Sequence, residues 1–211
     1  MKKVTIIDYG VGNLLSLRMA LEHLGAKVVI TRDKDLILDS SHIILPGVGA
    51  FSKAMSLIKE YKIDKYLIDT KNKGANILGI CLGMQLLMTS SQEFGFSKGL
   101  NFIEGEVISI SNLKEYEENT KIPNIGWFKI IEKNSDTLHS MLKNISNTDT
   151  FYFVHSFVCK TKDYQSFKYY ADYSNLEITA VIAKEKVIGC QFHPEKSGNS
   201  GLKFLDNFIK L

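Results

Sequence analysis

The chain has 211 residues, 45% of them hydrophobic, and a formal net charge of +3, with Arg18 and Arg32 as its only arginines. That length and hydrophobic content suit one well-buried domain over residues 1–211, and so mild a charge, without a concentrated basic face, argues against nucleic-acid binding. The three cysteines, Cys81, Cys159 and Cys190, lack paired spacing, which argues against a disulfide framework or a zinc site and favours a reducing, cytoplasmic location; no apolar run nears the roughly 20 residues that span a bilayer.

The apolar run that follows Lys2-Lys3 stops at Asp8, so Val4 to Asp8 reads as a first strand and not as an export signal. Tyr9-Gly10-Val11-Gly12-Asn13 is a glycine turn, Leu14 to Leu24 has amphipathic helical spacing closed by Gly25, and Ala26 to Ile30 is a second strand. His42 to Leu45 is a third strand, leading through Pro46-Gly47-Val48-Gly49 into helical spacing to about Glu60. A further helix, from about Ile63 to Lys73, ends at Gly74 before the apolar run Ala75-Asn76-Ile77-Leu78, and Leu82 to Met88 is again helical in spacing. Strands alternating with helices predict an α/β fold with a mostly parallel central sheet covered on both faces. The second half changes character. Glu104 to Ile110, Trp127 to Ile131, Thr150 to His155, Lys168 to Tyr173, Ile178 to Ala183 and Lys186 to Gln191 read as short strands forming an antiparallel extension of the same domain, with Gly201 to Leu211 a closing helix and Ser111 to Lys121 a polar, mobile loop.

Two segments carry chemistry. In Gly79-Ile80-Cys81-Leu82-Gly83 a buried strand must turn sharply into a helix, and glycines on both sides remove the Cβ atoms that would clash there, the thiol counterpart of a nucleophile elbow. The turn places Cys81 at a helix N-terminus, where a thiolate is stabilised. Downstream, His193 can serve as general base and acid, with Glu195 orienting the imidazole and Pro194 stiffening the turn between them. A lone cysteine and a lone histidine would more often be core and surface residues; elbow, strand and His-x-Glu together favour a Cys81–His193–Glu195 triad. The turn after the first strand fails as a dinucleotide fingerprint, because Leu15 stands where the third glycine belongs. The Pro46 to Gly49 loop presents consecutive backbone N–H groups, so Gly47, Val48 and Gly49 can supply one donor of an oxyanion hole and Leu82 the other; an ordinary turn remains the alternative. Nothing in this chemistry calls for a metal or a cofactor.

Pro46-Gly47-Val48-Gly49-Ala50-Phe51, Gly79 to Gln85, Tyr152-Phe153-Val154-His155-Ser156 and Gln191-Phe192-His193-Pro194-Glu195-Lys196-Ser197 closely resemble the motifs of class I glutamine amidotransferases, and the resemblance runs from the first strand to the last helix. It implies a flavodoxin-like sheet and a reaction in which Cys81 attacks the side-chain amide of L-glutamine, giving a thioester and ammonia. Gln85, Ser156 and Phe157 match positions lining the glutamine pocket, and His155 is expected to shape the pocket or a subunit face. The motifs further resemble the branch whose glutaminase forms a heterodimer with a (β/α)8-barrel cyclase that makes imidazole glycerol phosphate and aminoimidazole carboxamide ribotide in histidine biosynthesis. In that branch the Gly10 to Asn13 turn and the Pro46 loop lie near the interface.

Phe128 and Phe157 stand where the family commonly has asparagine and tyrosine, and the charged segment before Ile122-Pro123-Asn124 is long. These departures keep open a paralogous glutaminase that feeds another synthase, such as a sugar-amidinating enzyme of surface polysaccharide synthesis. A cysteine hydrolase of another kind and a silent regulatory subunit are the alternatives outside the class.

Overall fold

In a computed structural model of the chain, which describes residues 2–133 and 140–211, the first half alternates strand and helix. Its elements are β1 (Lys3–Ile7), α1 (Leu14–His23), β2 (Lys27–Thr31), α2 (Lys34–Leu38), β3 (His42–Leu45), α3 (Phe51–Glu60), α4 (Ile63–Asn72), β4 (Asn76–Ile80) and α5 (Leu82–Leu86). The second half is mostly strand: β5 (Met88–Ser91), β6 (Ser97–Lys98), β7 (Ile103–Ser109), β8 (Asn124–Lys129), β9 (Ile131–Glu132), β10 (Thr150–His155), β11 (Phe157–Thr161), β12 (Phe167–Tyr173), β13 (Leu176–Lys184) and β14 (Val187–Cys190), followed by α6 (Gly198–Lys210).

The main sheet has the order β2-β1-β3-β4-β14-β13-β12-β9. Its β2 to β14 half is parallel, and β14 to β9 is antiparallel. The parallel half follows the doubly wound, flavodoxin-like order, in which sites form beyond the carboxyl ends of the strands. Period-2 alternation sorts the side chains between two layers. Val4, Ile6, Ile44, Leu78 and Ile188 face α1 and α6, where Leu17, Leu21, Phe204 and Phe208 close the core. Ile7, Ile43, Leu45, Ile77 and Val187 face the opposite layer, packed by Ile37 of α2, Phe51 and Ile58 of α3, Leu67 of α4 and Met84 of α5. Strands covered on both faces are mostly apolar, as β3 and β4 are after His42 and Asn76, and all of their residues are buried.

The antiparallel half is more divided than the sequence suggests. Besides β13, β12 and β9, it forms a two-stranded β10-β8 ribbon and a four-stranded sheet β11-β7-β5-β6. The helix expected over Leu82 to Met88 stops at Leu86, because Met88–Ser91 leaves to pair in parallel with β7 and antiparallel with β6. The strand expected over Trp127 to Ile131 starts at Asn124 and breaks at Ile130, its first part pairing with β10 and its second with β12. β10 and β11 are separated by Ser156 alone, so at that residue the chain passes from the ribbon to the four-stranded sheet. Between Ser111 and Lys121, Leu113 and Tyr116 pack on a small cluster with Ile108 and Ile178, and the Tyr173 hydroxyl donates to the Lys121 carbonyl at 2.7 Å. Phe128, the first departure from the family pattern, packs edge-on against Phe153 and Tyr173. Among the described residues no helix is long and apolar enough to cross a membrane.

Candidate active site

Four connections meet at the carboxyl edge of the parallel strands: the turn after β1, the Pro46 loop after β3, the elbow after β4 and the turn after β14. At the elbow Cys81 has φ 53° and ψ −110°, a conformation that costs a non-glycine residue on the order of 1–3 kcal/mol. Its neighbours hold it there. The Cys81 N–H donates to the Cys190 carbonyl at 2.8 Å, carrying the β4–β14 pairing one residue past the strand. A Cβ on Gly83 would lie 1.8 Å from the Leu45 carbonyl oxygen, and one on Gly79 would lie 2.6 Å from the Gly83 carbonyl oxygen. Both flanking glycines are therefore required by close backbone approach.

After β14 the chain enters a 3-10 turn at Pro194–Lys196. The His193 N–H donates to the Tyr152 carbonyl at 2.9 Å, while the Ser197 hydroxyl donates to the His193 carbonyl at 2.6 Å and accepts from the Tyr152 N–H at 3.0 Å. His193 is thus clamped between β10 and the start of α6. Its Nδ1 bonds Glu195 Oε1 at 2.9 Å, with both side chains 4% exposed. Burial works against the charged imidazole, but the neighbouring Cys81 and the bonded Glu195 outweigh it and push the His193 pKa up to about 10. The His193 Nε2 has no formed hydrogen bond.

Cys81 and His193 line one cavity of about 340 Å³, together with Val48, Gly49, Leu82 and Gln85. Ser156 and Phe157, at the pivot between β10 and β11, close its far side. Glu195 lies behind His193 and does not line this cavity, and Gly47 does not line it either: a Cβ there would sit 2.5 Å from the Tyr9 hydroxyl. Tyr9 is buried, and its hydroxyl donates to the Pro46 carbonyl at 2.6 Å, which pins the start of the loop; burial, then the nearby Cys81, drives its pKa well above the usual phenol range. Among the described residues, the backbone N–H groups of Gly47, Val48, Gly49 and Leu82 donate to no backbone or side-chain acceptor.

Three contributors carried no assigned site role at the sequence level. Glu93 lines the cavity, and its carboxylate accepts from the Phe51 N–H at 2.6 Å at the start of α3. Gln191, wholly buried, donates from Nε2 to Cys81 Sγ at 3.6 Å. Asn124 donates from Nδ2 to His155 Nε2 at 3.1 Å. Burial above all holds the His155 pKa down to about 4, so at neutral pH the ring is uncharged and serves as a wall of the cavity. Glu93 lies between two strands too short to read, and a single carboxylate before Phe94-Gly95 looks like a surface turn. Among the described residues no group of three or more His, Cys, Asp or Glu side chains is arranged to hold a metal ion.

The chain is 42% identical over 211 residues to the imidazole glycerol phosphate synthase subunit HisH of Lactococcus lactis, covering 100% of this chain and 99% of that protein. It is 39% identical over 215 residues to the subunit HisH 1 of Legionella pneumophila, covering 100% of both. Among solved structures, PurLQS from Thermotoga maritima superposes with a TM-score of 0.72 at 20% identity over 99% of this chain and 98% of that one, a likeness of fold. The model of the glutamine amidotransferase class-I family matches residues 5–211, and the chain belongs to that family.

Proposed function

We propose that this chain, as a single domain, hydrolyses L-glutamine to glutamate and ammonia through a Cys81–His193–Glu195 triad, and passes the ammonia to a cyclase partner for imidazole glycerol phosphate synthesis. The observation that carries the reading is the strained Cys81, whose thiol shares a cavity with an imidazole that bonds Glu195. Cys81 Sγ attacks the amide carbon of glutamine with the proton already on the His193 imidazole, in keeping with the raised His193 pKa. The carbonyl oxygen becomes an oxyanion, which accepts from the N–H of Leu82 and from N–H groups of the Pro46 to Gly49 loop. As the C–N bond breaks, His193 returns the proton to the leaving nitrogen, so ammonia departs and a thioester remains. Water then attacks the thioester, giving His193 its proton, and glutamate leaves as Sγ is restored.

The pocket chemistry suits the substrate. Gln85 uses its amide nitrogen on the Phe157 carbonyl and on Gln191, so its carbonyl oxygen is what it offers to a glutamine ammonium or amide. Glu93 adds a carboxylate to the same wall. Full-length relatives named as synthase subunits support delivery to a partner, and Val48, 45% exposed while lining the cavity, can be reached by one.

The test is glutamate release from L-glutamine, first by the protein alone and then with a histidine-pathway cyclase and its nucleotide ligand. Strong stimulation supports the full assignment; turnover that responds only to a different synthase moves the chain to a paralogous pathway. Cys81→Ala should abolish turnover while leaving partner binding intact, and retained turnover would overturn the mechanism.

A further inference from the structure

The hydrogen bonds behind Cys81 form one chain whose polarity is set at its far end. The Phe157 carbonyl can only accept, and it has two partners: His155 Nδ1 at 2.8 Å and Gln85 Nε2 at 3.2 Å. Gln85 must therefore turn its NH2 group toward the carbonyl, and the same nitrogen reaches Gln191 Oε1 at 3.1 Å. Gln191 must in turn present its oxygen to Gln85, which leaves its own NH2 group facing Cys81 Sγ at 3.6 Å. At the other end, His155 Nδ1 donates to the carbonyl, so its Nε2 accepts, and Asn124 supplies the donor. An uncharged His155 is the form this requires, and burial keeps it so. Every member of the chain is at most partly exposed, and Gln191 is wholly buried, so water does not offer the amides an alternative arrangement. Reversing either glutamine amide would set oxygen against oxygen or NH2 against NH2.

We infer that Gln191 is a further residue of the catalytic site, held through Gln85, the Phe157 carbonyl and His155 so that an N–H donor always faces the Cys81 sulfur. A donor there favours the thiolate over the thiol, since the thiolate is the better acceptor, and fixes the sulfur below the substrate carbon. Once Sγ forms the thioester bond the acceptor weakens, so the bond to Gln191 is strongest in the attacking state. The inference rests on Cys81 being the nucleophile, and it concerns the thiol before substrate arrives.

The test is alkylation of the full-length protein by iodoacetamide, followed across pH with mass-spectrometric localisation to Cys81. Cys159, within β11, and Cys190, within β14, are buried and serve as unreactive internal references. Gln191→Met keeps the length and removes the donor, and should slow Cys81 alkylation at neutral pH about tenfold and move the pH of half-maximal rate upward, as expected for losing a hydrogen bond to a charged group. Gln191→Glu preserves the contact with Gln85 only as an acceptor or acid, and should slow alkylation further. This variant decides the matter if Gln191→Met does not fold. Gln85→Leu frees the Gln191 amide to turn, and should produce a smaller change in the same direction. Folded Gln191 variants that alkylate with the rate and pH profile of the wild type overturn the inference; an unchanged Gln85→Leu profile overturns the relay. Because no glutamine is present, these results stand apart from turnover. A wild type that hydrolyses no glutamine but shows the alkylation shift defeats the proposed function alone.

Discussion

Cys81 combines two demands that pull against each other, a side chain exposed to a cavity and a backbone that L-residues avoid. Glycine in its place would relieve the φ 53° strain, whereas alanine would keep it. Cys81→Gly should therefore be more stable to urea than Cys81→Ala by about 1 kcal/mol, with both inactive. His193 gives a second expectation at this scale. Its folded-state pKa is raised from 6.5 to about 10 despite burial, through Cys81 and Glu195. A raised pKa stabilises the fold fully below 6.5, and that stabilisation is lost as pH rises through about 10. The melting-temperature advantage of the wild type over Glu195→Gln should accordingly shrink across that window, and the variant should lose about 100-fold or more in kcat/KM. Cys81, His193 and Glu195 were legible because spacing marks them: an elbow needs glycines at fixed offsets, and a turn fixes His-x-Glu. Gln191 and Glu93 were not, since one amide or one carboxylate has no periodicity and gains meaning only from what the fold sets beside it.

Among the elements, the most exacting contact is between α5 and the end of β3. Gly83→Ala would drive a methyl group into the Leu45 carbonyl, backbone against backbone. It should destabilise the protein by more than about 2 kcal/mol in denaturant titration, and should impair turnover by displacing the Pro46 loop along with Leu45. The long apolar elements, β1, β3, β4, α3 and α4, were readable in the sequence because both sheet faces are buried and helical periods run for ten residues. The elements that escaped are short and depend on distant partners. α2 has five residues with only Ile37 buried, and its start is fixed by Asp33, whose side chain accepts from the Asp35 and Leu36 N–H groups. β5 and β6 are short and mostly polar, and are strands only because β7 pairs with β5 and β5 in turn with β6. β11 follows β10 with no turn cluster between, so nothing local announces that the chain changes sheets at Ser156.

The whole molecule gathers its reactive groups and two exposed apolar side chains, Leu15 at 65% and Val48 at 45%, around the carboxyl edge of one sheet. Leu15 is in the first turn of α1, just after the Gly10 to Asn13 turn. Its solvent exposure means that Leu15→Glu should leave the melting temperature within about 1 °C, since surface changes usually cost little. Glutaminase stimulation by a cyclase partner should fall in a titration of that partner, if this edge is where the partner sits. The α/β class and parallel half were visible from strand–helix alternation, but the split of the second half into three sheets was not, because register and partner choice among short strands are settled by packing.

The place of β14 between β4 and β13 has a consequence for how the enzyme comes into being. Thiol and imidazole belong to neighbouring strands that are far apart in sequence, and the sheet stays in two pieces until β14 slides into the gap. A chain emerging from the ribosome with β1 to β4 and the elbow in place still lacks His193, Gln191 and the Cys190 carbonyl that holds the strained cysteine. The cavity is therefore completed only with long-range strand insertion, among the slower events of folding.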